Sequence, residues 1–100
     1  MVISGINFDL QKLHEISLRH GIGRLSVFGS ILRPEFDADS DIDLLVEFLP
    51  GKRISLLGIG EIEIELERLL GRRVDLRTAQ DLSNYFRDEV LSDARPIYAA

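Results

Sequence analysis

The pattern of apolar and polar residues predicts the element order α-β-β-α-β-α, followed by a last short strand or tail at 95–98. Helices are predicted over residues 9–20 and 81–93 and within the stretch 56–70, strands over 24–28, 41–48 and 72–77, and a polar loop over 30–40. In the first helix Leu10, Leu13 and Ile16 recur at helical spacing, while Asp9 and Gly21 are suited to cap its two ends. The order predicts an α/β (α+β) fold, in which helices pack on a small mixed β-sheet.

The stretch 56–70 fits two periodicities. Ile59, Ile62 and Leu66 fit one helical face, whereas the glutamates between 61 and 67 alternate with apolar residues as they would in a strand. Length and the helix propensities of Leu and Glu favour a helix. Because of Gly58 and Gly60, we expect this helix to begin near residue 60 or to start poorly. We interpret the glutamates as a solvated helix face. We interpret four arginines as the ion-pair partners of these glutamates: Arg68, Arg72, Arg73 and Arg77. The alternative is that they contact a nucleotide or a partner protein.

Composition narrows the class of protein. A chain of 100 residues is expected to form one domain, 1–100, around one core. The absence of cysteine excludes disulfides and thiolate catalysis, and His14 and His20 are interpreted as surface or helix-capping residues. Without a membrane-spanning run or a signal-peptide pattern, a cytoplasmic location is expected. The net charge of −5 argues against direct nucleic-acid binding.

The most informative segment is Asp37-Ala-Asp-Ser-Asp-Ile-Asp43, in which four of seven residues are aspartate. Such crowding is unfavourable unless solvent, a cation or arginine neutralises it. Strand alternation places Asp41 and Asp43 on the face opposite the apolar residues, with Cα atoms roughly 6.5–7 Å apart. Two carboxylates at this separation can share hard cations with phosphate oxygens. We interpret Asp37 and Asp39 as part of a solvated loop or a secondary contact with a partner.

A third carboxylate has the same character. Asp75 lies between Val74 and Leu76 in the predicted strand 72–77. If its two apolar neighbours face the core and this strand lies beside 41–48, Asp75 joins the other two carboxylates on one face. Three carboxylates and a pair of Mg²⁺ ions form the two-metal arrangement that supports in-line displacement at phosphorus.

Gly29 and Ser30 follow the strand 24–28 and are candidates for phosphate binding. Glycine lets a backbone approach a ligand closely, and a serine hydroxyl with neighbouring backbone N–H groups can hold phosphate oxygens. Arg33 is placed to add a charge-assisted contact. Taken alone, Gly29 and Ser30 are better explained as a strand end and a turn, whereas together with the carboxylates they favour phosphate contact. Arg33 is equally well explained as a solvated loop residue.

The pairing of Gly29-Ser30 with Asp41-Ile42-Asp43, ten residues later, resembles the signature of the DNA polymerase β-type nucleotidyltransferase superfamily. The wider strings at 27–30 and 40–46 are similar to its minimal nucleotidyltransferase branch, as are Leu69-Leu70-Gly71-Arg72-Arg73-Val74-Asp75-Leu76 and the tail from Arg87 to Ala99. The likeness covers residues 10–99. The paired motif is specific, whereas either half alone would be weak.

The resemblance implies a polymerase β-like core and a set of roles. Asp41 and Asp43 would bind Mg²⁺, and Asp75 would complete a site for two ions and help to deprotonate the acceptor hydroxyl. Gly29 and Ser30 would contact the triphosphate of ATP. Small members of the branch are encoded beside HEPN-domain proteins and act as antitoxins. Some transfer AMP from ATP to a tyrosine of the HEPN toxin.

Three functions remain open at this level. The first is Mg²⁺-dependent AMP transfer to a partner protein, and the second is a non-catalytic antitoxin that neutralises its partner by occlusion. The third, transfer to a small molecule or a nucleic-acid end, is disfavoured by the short, acidic chain. The chain departs from the family pattern where Ile31 follows Ser30 and Pro34 follows Arg33, a difference that bears on triphosphate binding.

Overall fold

The computed structural model describes residues 1–100 and contains six strands, three α-helices and two 3₁₀ turns. The strands are β1 (Val2–Ile3), β2 (Ile6–Asn7), β3 (Ile22–Phe28), β4 (Ile42–Phe48), β5 (Val74–Arg77) and β6 (Arg95–Ala99). The helices are α1 (Leu10–His20), α2 (Leu56–Leu70) and α3 (Asn84–Asp93), and the 3₁₀ turns cover Gly29–Leu32 and Ala79–Asp81. None of the helices combines the length and the apolar character that crossing a membrane requires.

Four of the strands form one mixed sheet in the order β5-β4-β3-β6. β3 pairs antiparallel with both β4 and β6, whereas β4 and β5 run parallel because α2 carries the chain back between them. The predicted mixed sheet with packed helices is confirmed, and the segment at 95–98 is a strand rather than a tail. The parallel pair places the two acidic segments of the sequence side by side.

The core lies between one face of this sheet and the helices α1 and α2. Leu13 of α1, Ile62 and Leu66 of α2, and Ile42 and Leu44 of β4 are fully buried in one apolar cluster. Burial of these side chains is the main favourable contribution to folding, at about 1.5–3 kcal/mol for each one. Because the inward residues of β4 alternate with its acidic ones, the same packing turns the aspartates away from the core.

Helix caps define where α1 and α2 begin and end. The Asp9 carboxylate accepts a hydrogen bond from the Lys12 N–H at 3.1 Å, as predicted. The helix α2 begins at Leu56, four residues before the expected start near 60, because the Ser55 hydroxyl accepts the Gly58 N–H at 3.1 Å. A Cβ on Gly58 would lie 2.7 Å from Ile54 Cδ1. Gly58 thus makes room for Ile54 and does not interrupt the helix.

The glutamates of α2 are more than a solvated face, which corrects the sequence-based interpretation. Glu67 and Glu63 accept hydrogen bonds from the backbone N–H groups of Val74 and Leu76, at 3.0 and 2.9 Å. These N–H groups lie on β5, which is an edge strand and has no neighbour on that side. The two carboxylates therefore take the place of a missing strand and fix β5 against α2.

The structure adds a hairpin that the sequence pattern did not predict. β1 and β2 pair antiparallel around Ser4 and Gly5, both of which have positive φ, at 50° and 80°. The Ser4 hydroxyl donates to the Ile31 carbonyl, so the hairpin braces the 3₁₀ turn that follows β3. The dipeptide Ser4-Gly5 between apolar residues was the available signal. The last helix also begins later than expected, at 84, because 79–81 forms a 3₁₀ turn.

Candidate active site

Asp43 and Asp75 occupy the same position on neighbouring parallel strands. The β4–β5 register pairs Ile42 with Val74, Asp43 with Asp75 and Leu44 with Leu76. The flanking apolar residues are at most 5% exposed and belong to the core, so both aspartates lie on the opposite face. The structure thus brings together the second and third predicted acids, which come from distant parts of the chain.

Asp41 lies just before β4 and is exposed, whereas Asp43 is partly buried. Burial raises the pKa of Asp43, and the negative charges of Asp75 and Asp41 raise it further. The Ser30 backbone amide and the Arg77 guanidinium act in the opposite direction and do not cancel the shift. Burial contributes most to this shift and the charges of Asp75 and Asp41 add to it, so a positive charge placed nearby would favour the ionised form of Asp43.

Gly29 lies directly against the Asp43 carboxylate. Its backbone is left-handed, with φ at 74°, and a Cβ at this position would collide with the Asp43 carboxylate oxygen. The paired positions of Phe28 and Asp43 on β3 and β4 bring the turn to this place. The sequence predicts that Gly29 lets a ligand approach the backbone closely. In the structure, the group that lies next to its Cα is the carboxylate of Asp43, from the second half of the motif.

Ser30 and Arg33 lie in and just after the 3₁₀ turn, where the Arg33 N–H donates to the Ser30 carbonyl at 2.9 Å. The Arg33 side chain is exposed and borders a hollow of about 1000 Å³ that also reaches Gly29. About half of the residues around the hollow are hydrophobic, including Phe28 and Phe86. The three aspartates lie outside it, so the turn at 29–32 separates the hollow from the acidic site.

Arg77 is a member of the site that sequence reasoning missed. Its Nε and a terminal nitrogen donate to the two Asp75 carboxylate oxygens at 2.9 and 3.3 Å. Hydrogen bonding to Asp75 raises the pKa of Arg77, as do the negative charges of Asp75, Asp81 and Asp43. The prediction that Arg77 pairs with the α2 glutamates is wrong. The usable signal was the spacing of Asp75 and Arg77, which puts both on one face of the strand.

Arg72 was also assigned to those glutamates, and this prediction is wrong as well. Its guanidinium donates to the backbone carbonyls of Asp37 and Ser40 at 2.7 and 2.6 Å and stacks on Phe36, 4.9 Å from the ring centre. Arg72 therefore fastens the loop that leads into Asp41. Within this loop the Asp37 carboxylate accepts the Asp39 N–H and the Ser40 hydroxyl, which makes it a local turn.

The donor chemistry of the site suits a hard divalent cation, since carboxylate oxygens are the ligands that Mg²⁺ prefers. In the present arrangement no three acidic or histidine side chains lie close enough together to hold one ion. The Asp75 carboxylate is directed to Arg77, and Asp41 is turned to solvent. All three aspartates fit the ion by chemistry, and Asp43 and Asp75 also fit it by their position on one face. Side-chain rotation is required to complete a coordination set.

A family model described as the nucleotidyltransferase domain matches residues 10–97, a span that contains Gly29, Ser30 and all three aspartates. The chain belongs to this nucleotidyltransferase family. Membership confirms the resemblance drawn from the paired motif, and a nucleotidyltransferase is an enzyme.

Two curated relatives place the chain within the family. A Methanocaldococcus jannaschii protein, provisionally named as a protein adenylyltransferase, is 43% identical over 89 residues, which cover 89% of this chain and 94% of the relative. The protein adenylyltransferase MntA of Thermococcus cleftensis is 42% identical over 81 residues, covering 79% of this chain and 78% of the relative.

Solved structures share this fold. One, provisionally described as a minimal nucleotidyltransferase, is 39% identical, with a TM-score of 0.68 over 90% of this chain and 97% of the other. A toxin–antitoxin structure with AMP-PNP has a TM-score of 0.73 at 18% identity over 93% and 75% of the two chains. The complex of a tri-AMPylated Shewanella oneidensis HEPN toxin with an MNT antitoxin has a TM-score of 0.64 at 17% identity over 91% and 70%. These matches confirm the minimal nucleotidyltransferase fold.

Proposed function

We propose that the protein is a Mg²⁺-dependent adenylyltransferase that transfers AMP from ATP to a hydroxyl of a partner protein. The observation that carries the proposal is the position of Asp43 and Asp75 on one rung of the sheet, directly beside Gly29. The names of the two curated relatives support AMP as the group transferred. The family signature supports the assignment of the three aspartates.

In this reaction Asp41, Asp43 and Asp75 would hold the divalent ions. Bound ions would neutralise the triphosphate and stabilise negative charge on the attacking and leaving oxygens. The acceptor oxygen would form a bond to the α-phosphorus while the bond from that phosphorus to the bridging oxygen breaks, releasing pyrophosphate. Asp75 would accept or orient the proton of the acceptor hydroxyl, since its side chain is 40% exposed and lies on the same rung as Asp43.

The phosphates of ATP would lie at the turn formed by Gly29 and Ser30, with Arg33 as an additional charged contact. The hollow beside this turn has a volume at the upper end of the range for small-molecule pockets and a half-apolar lining. We therefore place the adenosine in the hollow and the reacting phosphate at the boundary between the hollow and the aspartates. Pro34, at which the chain departs from the family pattern, borders the same hollow.

The acceptor is proposed to be a tyrosine of a HEPN-type toxin, so that the chain acts as an antitoxin. This proposal is supported by the fold shared with the MNT antitoxin whose structure contains an AMPylated HEPN toxin. It is also supported by the exposure of Asp75 and Asp41 to solvent, because a hydroxyl group on another protein can reach exposed carboxylates. Neutralisation by occlusion, without chemistry, is the competing outcome.

The test is to incubate the protein with ATP, Mg²⁺ and the protein encoded by the neighbouring gene, and to weigh that partner by mass spectrometry. We expect mass increases of whole AMP groups that disappear in Asp43→Asn. Asp88→Asn is the matched control, because it removes an exposed carboxylate on α3 that has no role in the proposal, and it should leave transfer intact. A stable complex in which the partner gains no mass would contradict catalysis and establish occlusion.

A further inference from the structure

We propose that Arg77 is the resident counter-cation of the acidic site, and that a divalent ion has to displace its guanidinium from Asp75 in order to bind. The inference rests on the proposed function, because it assigns Asp75 to the metal site. It concerns a residue outside the three aspartates and the Gly-Ser turn that define the family motif.

The contact itself is suited to this role. Arg77 and Asp75 are two residues apart on β5, so both side chains extend from the same face of an edge strand. The guanidinium contacts both carboxylate oxygens of Asp75, which leaves few lone pairs of that carboxylate for another cation. Metal coordination and the two-point contact with Arg77 therefore compete for the same oxygens.

The charge around the site makes Arg77 the cation best placed to compete. Asp75, Asp81 and Asp43 all act electrostatically on its guanidinium, and Arg77 in turn offsets part of the repulsion felt by Asp43. The neighbouring Arg72 is engaged by backbone carbonyls, so it does not serve the carboxylates. Arg77 thus offsets part of the negative charge of the site whenever no metal is bound.

The exposure of the pair allows the exchange. The side chains of Asp75 and Arg77 are 40% and 48% exposed, so water replaces the lost contact when the guanidinium moves away. Exposed ion pairs are weak, and breaking one changes a competing equilibrium by only about two- to fivefold. Arg77 is therefore expected to weaken metal binding without preventing it, so that binding of the ion alone is disfavoured.

The experiment measures Mn²⁺ binding to the full chain without nucleotide, by following the electron paramagnetic resonance signal of free Mn²⁺. We expect Arg77→Gln to lower the Kd for Mn²⁺ by about three- to fivefold. Arg73→Gln is the matched control: it removes the same charge at the same sequence distance from Asp75, but Arg73 makes no ion pair. Its effect should be clearly smaller. Arg77→Lys, which keeps the charge without the two-point contact, should lie between Arg77→Gln and the natural chain.

The outcomes separate this inference from the proposed function. If the natural chain binds Mn²⁺ and Arg77→Gln binds it no more tightly than Arg73→Gln, Arg77 is not a competitor and the inference fails while the metal site stands. If no variant binds Mn²⁺ even with AMP-PNP present, the metal-dependent function fails and the inference fails with it. Circular dichroism of each variant checks the fold, and Arg77→Lys keeps the test decisive if Arg77→Gln unfolds.

Discussion

The Cα of Gly29 faces the carboxylate of Asp43 so closely that no side chain fits between them. This contact joins the two halves of the family motif, which are separated in sequence by the whole loop at 30–40. Gly29 therefore has two requirements at once: a left-handed backbone and an absent Cβ. The turn requires the left-handed backbone, and the nearby Asp43 carboxylate requires the absence of a Cβ.

Substituting Gly29→Ala should destabilise the protein more than backbone strain alone explains. A left-handed alanine costs about 1–2 kcal/mol, and the collision with Asp43 adds to it. Gly51→Ala is the matched control, because Gly51 has a similar φ of 81° with open space around it. Urea denaturation gives the two free energies of unfolding. Equal losses in both variants would show that Asp43 can move aside freely.

Substituting Glu63→Ala should loosen β5, the strand that carries Asp75. The change leaves the Leu76 N–H without its acceptor, and an unsatisfied buried donor costs about 1–3 kcal/mol. Faster hydrogen exchange at Leu76 and a lower free energy of unfolding are the expected results. Glu61→Ala on the exposed side of the same helix should change neither. Unaltered hydrogen exchange at Leu76 would mean that water accepts the hydrogen bond of the Leu76 N–H as well as the Glu63 carboxylate does.

Substituting Glu65→Gln should produce a pH-dependent loss of stability. Burial opposes the ionisation of Glu65, but hydrogen bonds from Arg19 and His20 outweigh it, so that its pKa is lowered on folding. A lowered carboxyl pKa stabilises the fold above the unfolded-state value of 4.5 and loses that contribution as the pH falls through the folded-state pKa.

At pH 7 the Glu65→Gln variant should be less stable by about 1 kcal/mol, and the difference should shrink as the pH falls below the unfolded-state value. Urea denaturation at a series of pH values measures it, with Glu61→Gln as the control that should follow the natural chain throughout. A difference that stays constant across this range would exclude the ionised Glu65 as its source.

Substituting Arg72→Ala should impair AMP transfer although Arg72 lies outside the reacting groups. The change removes two hydrogen bonds that fasten the loop preceding Asp41. Misplacing a catalytic group by about an ångström slows a reaction on the order of tenfold or more. Arg68→Ala, an exposed position on α2, is the control for loss of charge. Mass spectrometry measures the transfer rates of both variants. A normal rate in Arg72→Ala would show that the loop preceding Asp41 keeps its conformation without the hydrogen bonds from Arg72.

Several features of this protein follow from local sequence. Asp9 and Gly21 mark the ends of α1 because capping acts within a few residues. The alternation in β4 predicts that Asp43 turns away from the core, because strand side chains point to opposite faces in turn. The paired motif of Gly29-Ser30 with Asp41 and Asp43 is likewise readable as a spacing, and it is sufficient to identify the family.

Only the tertiary structure decided which segments that are distant in the chain contact one another. Asp75 meets Asp43 because α2 returns the chain to form a parallel strand pair in one register, and no local pattern fixes that register. The same packing assigned Glu63 to a strand edge, Arg77 to Asp75 and Gly29 to Asp43. Local spacing determines which face of a strand or helix a side chain occupies. Its hydrogen-bond partner depends on the tertiary arrangement that buries the whole core, because long polar side chains bind whichever nearby polar group the packing leaves unsatisfied.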